Sequence, residues 1–179
     1  LEHRNDSTKY LLVSLDPHPG RMDGTAMLEA GYPAAAADIF RKTIAVQPAA
    51  SYYNLGIAFK DLSRMQDSVT SYIAALEHTG PHNFEACHFN LGRAFQMLAD
   101  SATRAGYLHR NPRERRDILL RAAHHFRRAG SHRSLEEVLH QLGDEPAARR
   151  AYVEHLRQKP QDAVRPRRAV PCERMRALL

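Results

Sequence analysis

Four histidines, His124, His125, His132 and His140, fall within one 17-residue window. Imidazoles gathered this closely are the first place to look for a metal ion or a general base. The spacing argues against a shared metal ion. Neighbouring positions on a helix point about 100° apart, so His124 and His125 do not face one ion. No His-x-x-x-His pair with carboxylate support shares a helix with them, and no cysteine pair lies nearby. A Gly-rich phosphate loop, a nucleophile elbow and a buried carboxylate pair are also missing from the sequence. The expectation is therefore of a protein that is not an enzyme, with no catalytic residues, no metal, no cofactor and no small-molecule substrate.

The same stretch carries a different chemistry. Between Pro112 and Ala129 a helical period places Ile118, Leu119, Ala122, Ala123, Phe126 and Ala129 on one side. Arg113, Arg116, Arg121, His124, Arg127 and Arg128 lie on the other, interrupted by Asp117. Such a basic face suits RNA phosphates or an acidic protein. It holds no interleaved aromatic to stack bases, which disfavours single-stranded RNA recognition. The wider charge pattern agrees: residues 1–103 carry a net −3 and residues 104–179 a net +9, within a chain of +6. A basic half attracts acidic proteins, RNA or an anionic membrane surface. Arginine outnumbers lysine 22 to 4, a bias that a GC-rich genome would also produce.

The elements that position these residues are helical. Asn54-Leu55-Gly56 recurs as Asn90-Leu91-Gly92, and Ala58-Phe59 recurs as Ala94-Phe95, at a spacing of 36 residues. An echo of this period is the mark of stacked repeats. Pro33 opens a helix with Ala36, Ala37, Phe40 and Ile44 as its apolar stripe. Residues 51–62 form the next, with Tyr52, Leu55, Ala58 and Phe59 inward. Residues 66–79 form another, with Val69, Tyr72, Ile73 and Leu76 inward. A helix from Phe84 runs to about Leu108. The next starts at Asn111-Pro112-Arg113-Glu114, where Asn111 caps and Glu114 reaches back. Gly130 ends it, and Ser134-Leu-Glu-Glu137 reads as a capping box for its successor. Asp144 caps the last helix, which runs to about Gln158. About seven helices and no strand result. Connections of three to six residues make neighbours antiparallel, and only stacking buries every stripe.

These residues resemble the tetratricopeptide repeat, with its Trp-x-x-Leu-Gly-x-x-Tyr start, Ala-x-x-x-Phe middle and Pro end. Tyr52, Leu55, Gly56, Phe59, Tyr72 and Ala75 fit one unit. Gly31, Ala36, Phe40 and Pro48 fit the back of the unit before it. His88, Leu91, Gly92 and Phe95 open a third, which Ala122, Phe126 and Ala129 close. Gly143, Ala148, Tyr152, Leu156 and Pro160 complete a fourth. The third unit carries an insertion, since Phe95 and Ala122 stand 27 residues apart rather than nine or so. The fold class expected is all-α: antiparallel helix hairpins stacked as a short solenoid of about three to four repeats, one with an insertion. Residues 1–22 read as an N-terminal arm, 23–160 as the repeat domain and 161–179 as a basic Pro- and Arg-rich tail.

By position, the resemblance implies a concave peptide groove lined by Tyr53, Asn54, Ile57 and Lys60 of the second unit. Phe89, Asn90, Arg93 and Gln96 of the third continue it. A groove of aromatics and cations suits a peptide with an apolar anchor and an acidic group. Packing of Tyr53 and Phe89 against the N-terminal arm is the alternative for those two. The carboxylate clamp of the chaperone-binding members is not reproduced: Asn54 matches, but Arg21, Thr25, Ala86 and Asn90 do not. The function implied is a protein–protein interaction scaffold or adaptor, a subunit of a larger assembly. An RNA- or ribosome-associated factor using the basic C-terminal half is the alternative. No apolar run approaches the ~20 residues of a membrane span, and the polar opening Leu1–Tyr10 does not read as a signal peptide. Cys87 reads as a core residue and Cys172 as a thiol of the tail. Both fit a reducing, intracellular compartment: cytoplasmic, or organellar if a leader preceded Leu1.

Overall fold

The computed structural model describes residues 23–79, 84–104 and 111–159. Among them are eight α-helices and no strand: α1 (Gly24–Glu29), α2 (Pro33–Thr43), α3 (Pro48–Asp61), α4 (Met65–His78), α5 (Glu85–Arg104), α6 (Pro112–Arg128), α7 (His132–Gln141) and α8 (Glu145–Gln158). Each packs mainly on its neighbours in sequence, and α3 also touches α5. The pairs α1–α2, α3–α4, α5–α6 and α7–α8 are four successive hairpins. One buried cluster runs through them, from Leu28, Phe40, Tyr53 and Tyr72 to Leu91, Phe126, Val138 and Ala151.

Small residues set how closely each hairpin closes. A Cβ on Gly56 would sit 2.5 Å from the Tyr72 ring, and one on Gly92 would sit 2.9 Å from the Phe126 ring. The first hairpin repeats this device where the sequence did not reveal it, since a Cβ on Gly24 would lie 2.5 Å from Phe40. In all three the glycine admits an aromatic from the second helix against the backbone of the first. The fourth hairpin departs from the scheme. Glu136 stands 16 residues before Tyr152, where Gly24 and Gly56 precede their aromatics, and Tyr152 is only half-buried.

Four of the turns share one backbone solution. Gly31, Ser63, Gly130 and Gly143 all have positive φ. The next amide N–H in each case returns to a carbonyl five residues back: Tyr32 to Met27, Arg64 to Phe59, Ser131 to Phe126 and Asp144 to Leu139. This is the helix-ending motif that glycine favours because it lacks the Cβ penalty. Ser63, at φ 59°, adopts it without that advantage.

Several expectations need correction. Ile73 is 41% exposed, and Ala75 is buried instead. The helix after Gly130 begins at His132 with Ser131 at the N-cap, so Ser134 lies inside α7 and forms no capping box. The left-handed Gly130 turns the chain back into helix at once and leaves no room for a later start. Asn111 flanks α6 as expected, but its side chain does not cap the helix. Asp144 does cap α8, accepting from the Ala147 N–H at 3.1 Å. The insertion of the third unit is taken up in part by length, with α5 and α6 spanning 20 and 17 residues against 14 each in α3 and α4. The expected run of α5 to Leu108, the N-terminal arm 1–22, the tail 161–179 and Cys172 lie outside the described residues.

Candidate functional site

The eight residues expected to line a groove divide by burial. Tyr53, Asn54, Ile57, Asn90 and Gln96 are buried, and in this structure they do not present an open lining. The physical reason is the closeness of the second and third hairpins. The Tyr53 ring lies 5.8 Å from Tyr72 of α4 and 4.9 Å from Phe84 just before α5. Its hydroxyl accepts a hydrogen bond from Asn90 Nδ2 at 2.9 Å. A polar pair that is fully enclosed and satisfied ties α3 to α5, which is a structural use of both residues.

Lys60, Phe89 and Arg93 remain accessible, the first two half-buried and Arg93 exposed. The Phe89 ring is held against Phe126 at 5.9 Å. Lys60 approaches Asp61 at 3.7 Å, and Arg93 reaches Gln96 Oε1 at 3.5 Å. An aromatic edge and two cations therefore sit on the first helices of consecutive hairpins. The basic face of α6 is also where the sequence put it: Arg113, Arg116, Arg121, His124, Arg127 and Arg128 are all exposed, opposite buried Leu119, Ala122, Ala123 and Phe126.

A histidine pair joins α5 to α6 in a way the sequence did not suggest. His88 Nδ1 and His125 Nδ1 lie 3.0 Å apart, one donating and the other accepting. The rings stack at 5.2 Å, and His125 also lies on Phe95 at 5.8 Å. Burial first, then His88, His124 and Arg128, pull the His125 imidazole down to about 4. His88 is lowered by burial, then by Arg128 and His124. A signal for the pairing was present: His88 precedes Gly92 by one turn, and His125 precedes Phe126, the aromatic that seats on Gly92. Among the described residues no group of three or more His, Cys, Asp or Glu side chains converges where one ion could be held. Cys87 is buried, with its Sγ–H directed at the Tyr72 carbonyl at 3.4 Å, and burial pushes the thiol up to about 12.

With this arrangement established, comparison with known proteins places the fold. Neither a family model nor a curated protein matches the chain. Solved structures do. A crystal structure of MamA protein matches with a TM-score of 0.60 at 16% identity, over 83% of this chain and 75% of that one. A second MamA structure gives 0.56 at 17%, over 78% and 76% respectively. The chain has the tetratricopeptide-like helical fold. No helix among the described residues is long and apolar enough to cross a membrane.

Proposed function

We infer that this chain is a non-enzymatic protein–protein interaction scaffold, a subunit of a larger assembly. It would hold a peptide or helix along the first helices of its hairpins. The observation that carries this reading is the disposition of Lys60, Phe89 and Arg93. A half-buried aromatic held against Phe126 shares α5 with the exposed Arg93, and Lys60 lies on α3, the first helix of the preceding hairpin. Aromatic and arginine anchors dominate binding energy when a firm surface holds them. The occupant that fits is a segment with an apolar side chain for Phe89 and an acidic group for Lys60 or Arg93. Tyr53, Asn54, Ile57, Asn90 and Gln96 then act beneath that surface by fixing the distance between hairpins.

The basic face of α6 supports a second reading, in which the chain associates with RNA or a ribosome. Phosphate binding weakens steeply with salt, whereas contact with an apolar anchor hardly changes. The test is a photo-crosslinking residue placed at Phe89, and separately at Arg121, in cells expressing the full chain. Complexes are then recovered with and without nuclease. Protein crosslinks from Phe89 that survive nuclease support the scaffold reading. Crosslinks confined to RNA at Arg121 would overturn it.

A further inference from the structure

The last hairpin carries a surface that the reading above does not use. Between α7 and α8 lies an open trough of about 680 Å³. Leu135 and Leu139 from α7 form its floor with Ala151, and Val153 of α8 stands up from it 48% exposed. Arg127, Arg149 and Arg150 line it and are exposed. Among the described residues none of these three has a carboxylate within 4.0 Å. Arg157 pairs with Glu154 at 3.0 Å on the same helix, an exposed contact worth little on its own.

We propose that this trough docks an acidic amphipathic helix of a partner protein, at a site distinct from the surface around Phe89. Three observations select that occupant. The lining is predominantly basic, with Arg127, Arg149, Arg150 and Arg157 against the carboxylate of Glu154, which Arg157 already pairs, so an acidic partner gains at the arginines and a basic one is repelled. The chain's own tail is a poor match, because residues 161–179 hold Arg165, Arg167, Arg168, Arg174 and Arg176 against Asp162 and Glu173. The lining is also ordered in helical steps: Arg149, Val153 and Arg157 follow at intervals of four along α8. A helix laid beside α8 meets charge, apolar contact and charge in turn, which calls for the pattern Glu-x-x-x-Leu-x-x-x-Glu on its facing side. The proposal rests on the scaffold reading only in taking a protein as the ligand.

The probe is a fluorescein-labelled, alanine-based 15-residue peptide bearing that pattern, titrated against the full chain by fluorescence anisotropy. Val153→Glu and the double substitution Arg149→Glu/Arg150→Glu are each expected to weaken it tenfold or more. Circular dichroism should be unchanged, since all three side chains are exposed. Exchanging the peptide's leucine for glutamine should cost a similar factor, and exchanging glutamate for lysine should abolish binding. Phe89→Ala/Arg93→Ala should leave the affinity within twofold. Loss of the peptide in that last variant would move the contact to the first helices and overturn the proposal. So would a leucine-to-glutamine peptide that binds equally well, since the apolar floor would then play no part. A 12-nucleotide RNA that displaces the peptide from wild type and binds the Val153→Glu variant undiminished would overturn it in favour of phosphate. Val153-dependent self-association in sedimentation would do so in favour of a second copy. The crosslinking from Phe89 reports on the scaffold reading independently of these results.

Discussion

Substitution of Gly56 by alanine tests the packing that the first three hairpins share. Alanine is the better helix former by about 1 kcal/mol, so at an exposed helical site the change would stabilise. At Gly56 the new Cβ would sit 2.5–2.8 Å from three atoms of the Tyr72 ring. The ring cannot step aside, because Tyr72 is fully buried and leans on Tyr53 at 5.8 Å. The backbone cannot move freely either, since the Gly56 carbonyl accepts from Ser68 Oγ at 2.7 Å. Overpacking of this kind costs roughly 1–3 kcal/mol, and a contact so short at a fixed ring belongs at the upper end. After the propensity gain, a net loss of about 1–2 kcal/mol remains. For a chain of this size that lowers Tm by roughly 2–8 °C. Urea unfolding of Gly56→Ala, of Tyr72→Leu and of the double variant gives the coupling. The alanine penalty should largely vanish once the ring is gone. A higher Tm for Gly56→Ala, or the same penalty in both backgrounds, would refute the reasoning.

The histidine pair should make stability fall on acidification. Both folded imidazoles are shifted down from 6.5, His125 to about 4, so their contribution is complete above about pH 6.5 and is lost as pH falls toward 4. The full shift at His125 corresponds to about 3 kcal/mol, and solvent screening at a partly exposed ring brings this nearer 1–2 kcal/mol. Urea midpoints at pH 7.5 and 5.0 should differ accordingly, and His125→Phe should flatten the difference. Asn90→Leu removes the bond to Tyr53 inside the stack and should cost about 1–2 kcal/mol, whereas Arg93→Ala on the exposed side of α5 should stay within about 0.5 kcal/mol; thermal melts separate the two. Among the described residues the buried Tyr72 hydroxyl makes no well-formed hydrogen bond; Ser68 lies close to it but donates to the Gly56 carbonyl, so Tyr72→Phe should be neutral or stabilising by up to about 1 kcal/mol, as denaturant titration will show. In a Cys172→Ser background, Cys87 should resist a thiol reagent at pH 8 until the chain unfolds, given a thiol pushed up to about 12.

The repeat was legible because its spacing reports contacts that backbone geometry makes unavoidable. Gly56 and Gly92 announce an aromatic on the opposing helix, and Tyr72 and Phe126 are those aromatics. The first hairpin was only half legible, because Gly24 stands alone without the Asn-Leu that marks the other two. Position within a repeat indicated which helix Tyr53, Asn54, Ile57, Asn90 and Gln96 occupy, but not how tightly α3 and α5 approach. That depends on Phe84 and on the Asn90–Tyr53 bond, which no period encodes. Local capping rules failed at Ser134 for a related reason. The turn at Gly130 starts α7 before the capping box can act. On α6 one helix period separates the exposed arginines from the buried Leu119, Ala122, Ala123 and Phe126, a division that needs no tertiary knowledge to read.

The order of contacts has a mechanical consequence. Apart from the touch between α3 and α5, the described helices pack chiefly on the elements next to them in the chain. A load applied at the two ends therefore has few long-range bonds to shear. It would peel the stack hairpin by hairpin, starting from the fourth, where Glu136 and the half-buried Tyr152 replace a glycine–aromatic seat. The Asn90–Tyr53 bond and the ring seats on Gly56 and Gly92 would hold the middle of the array to the last. Such a stack would yield at one end while its centre, across α3 and α5, stays closed.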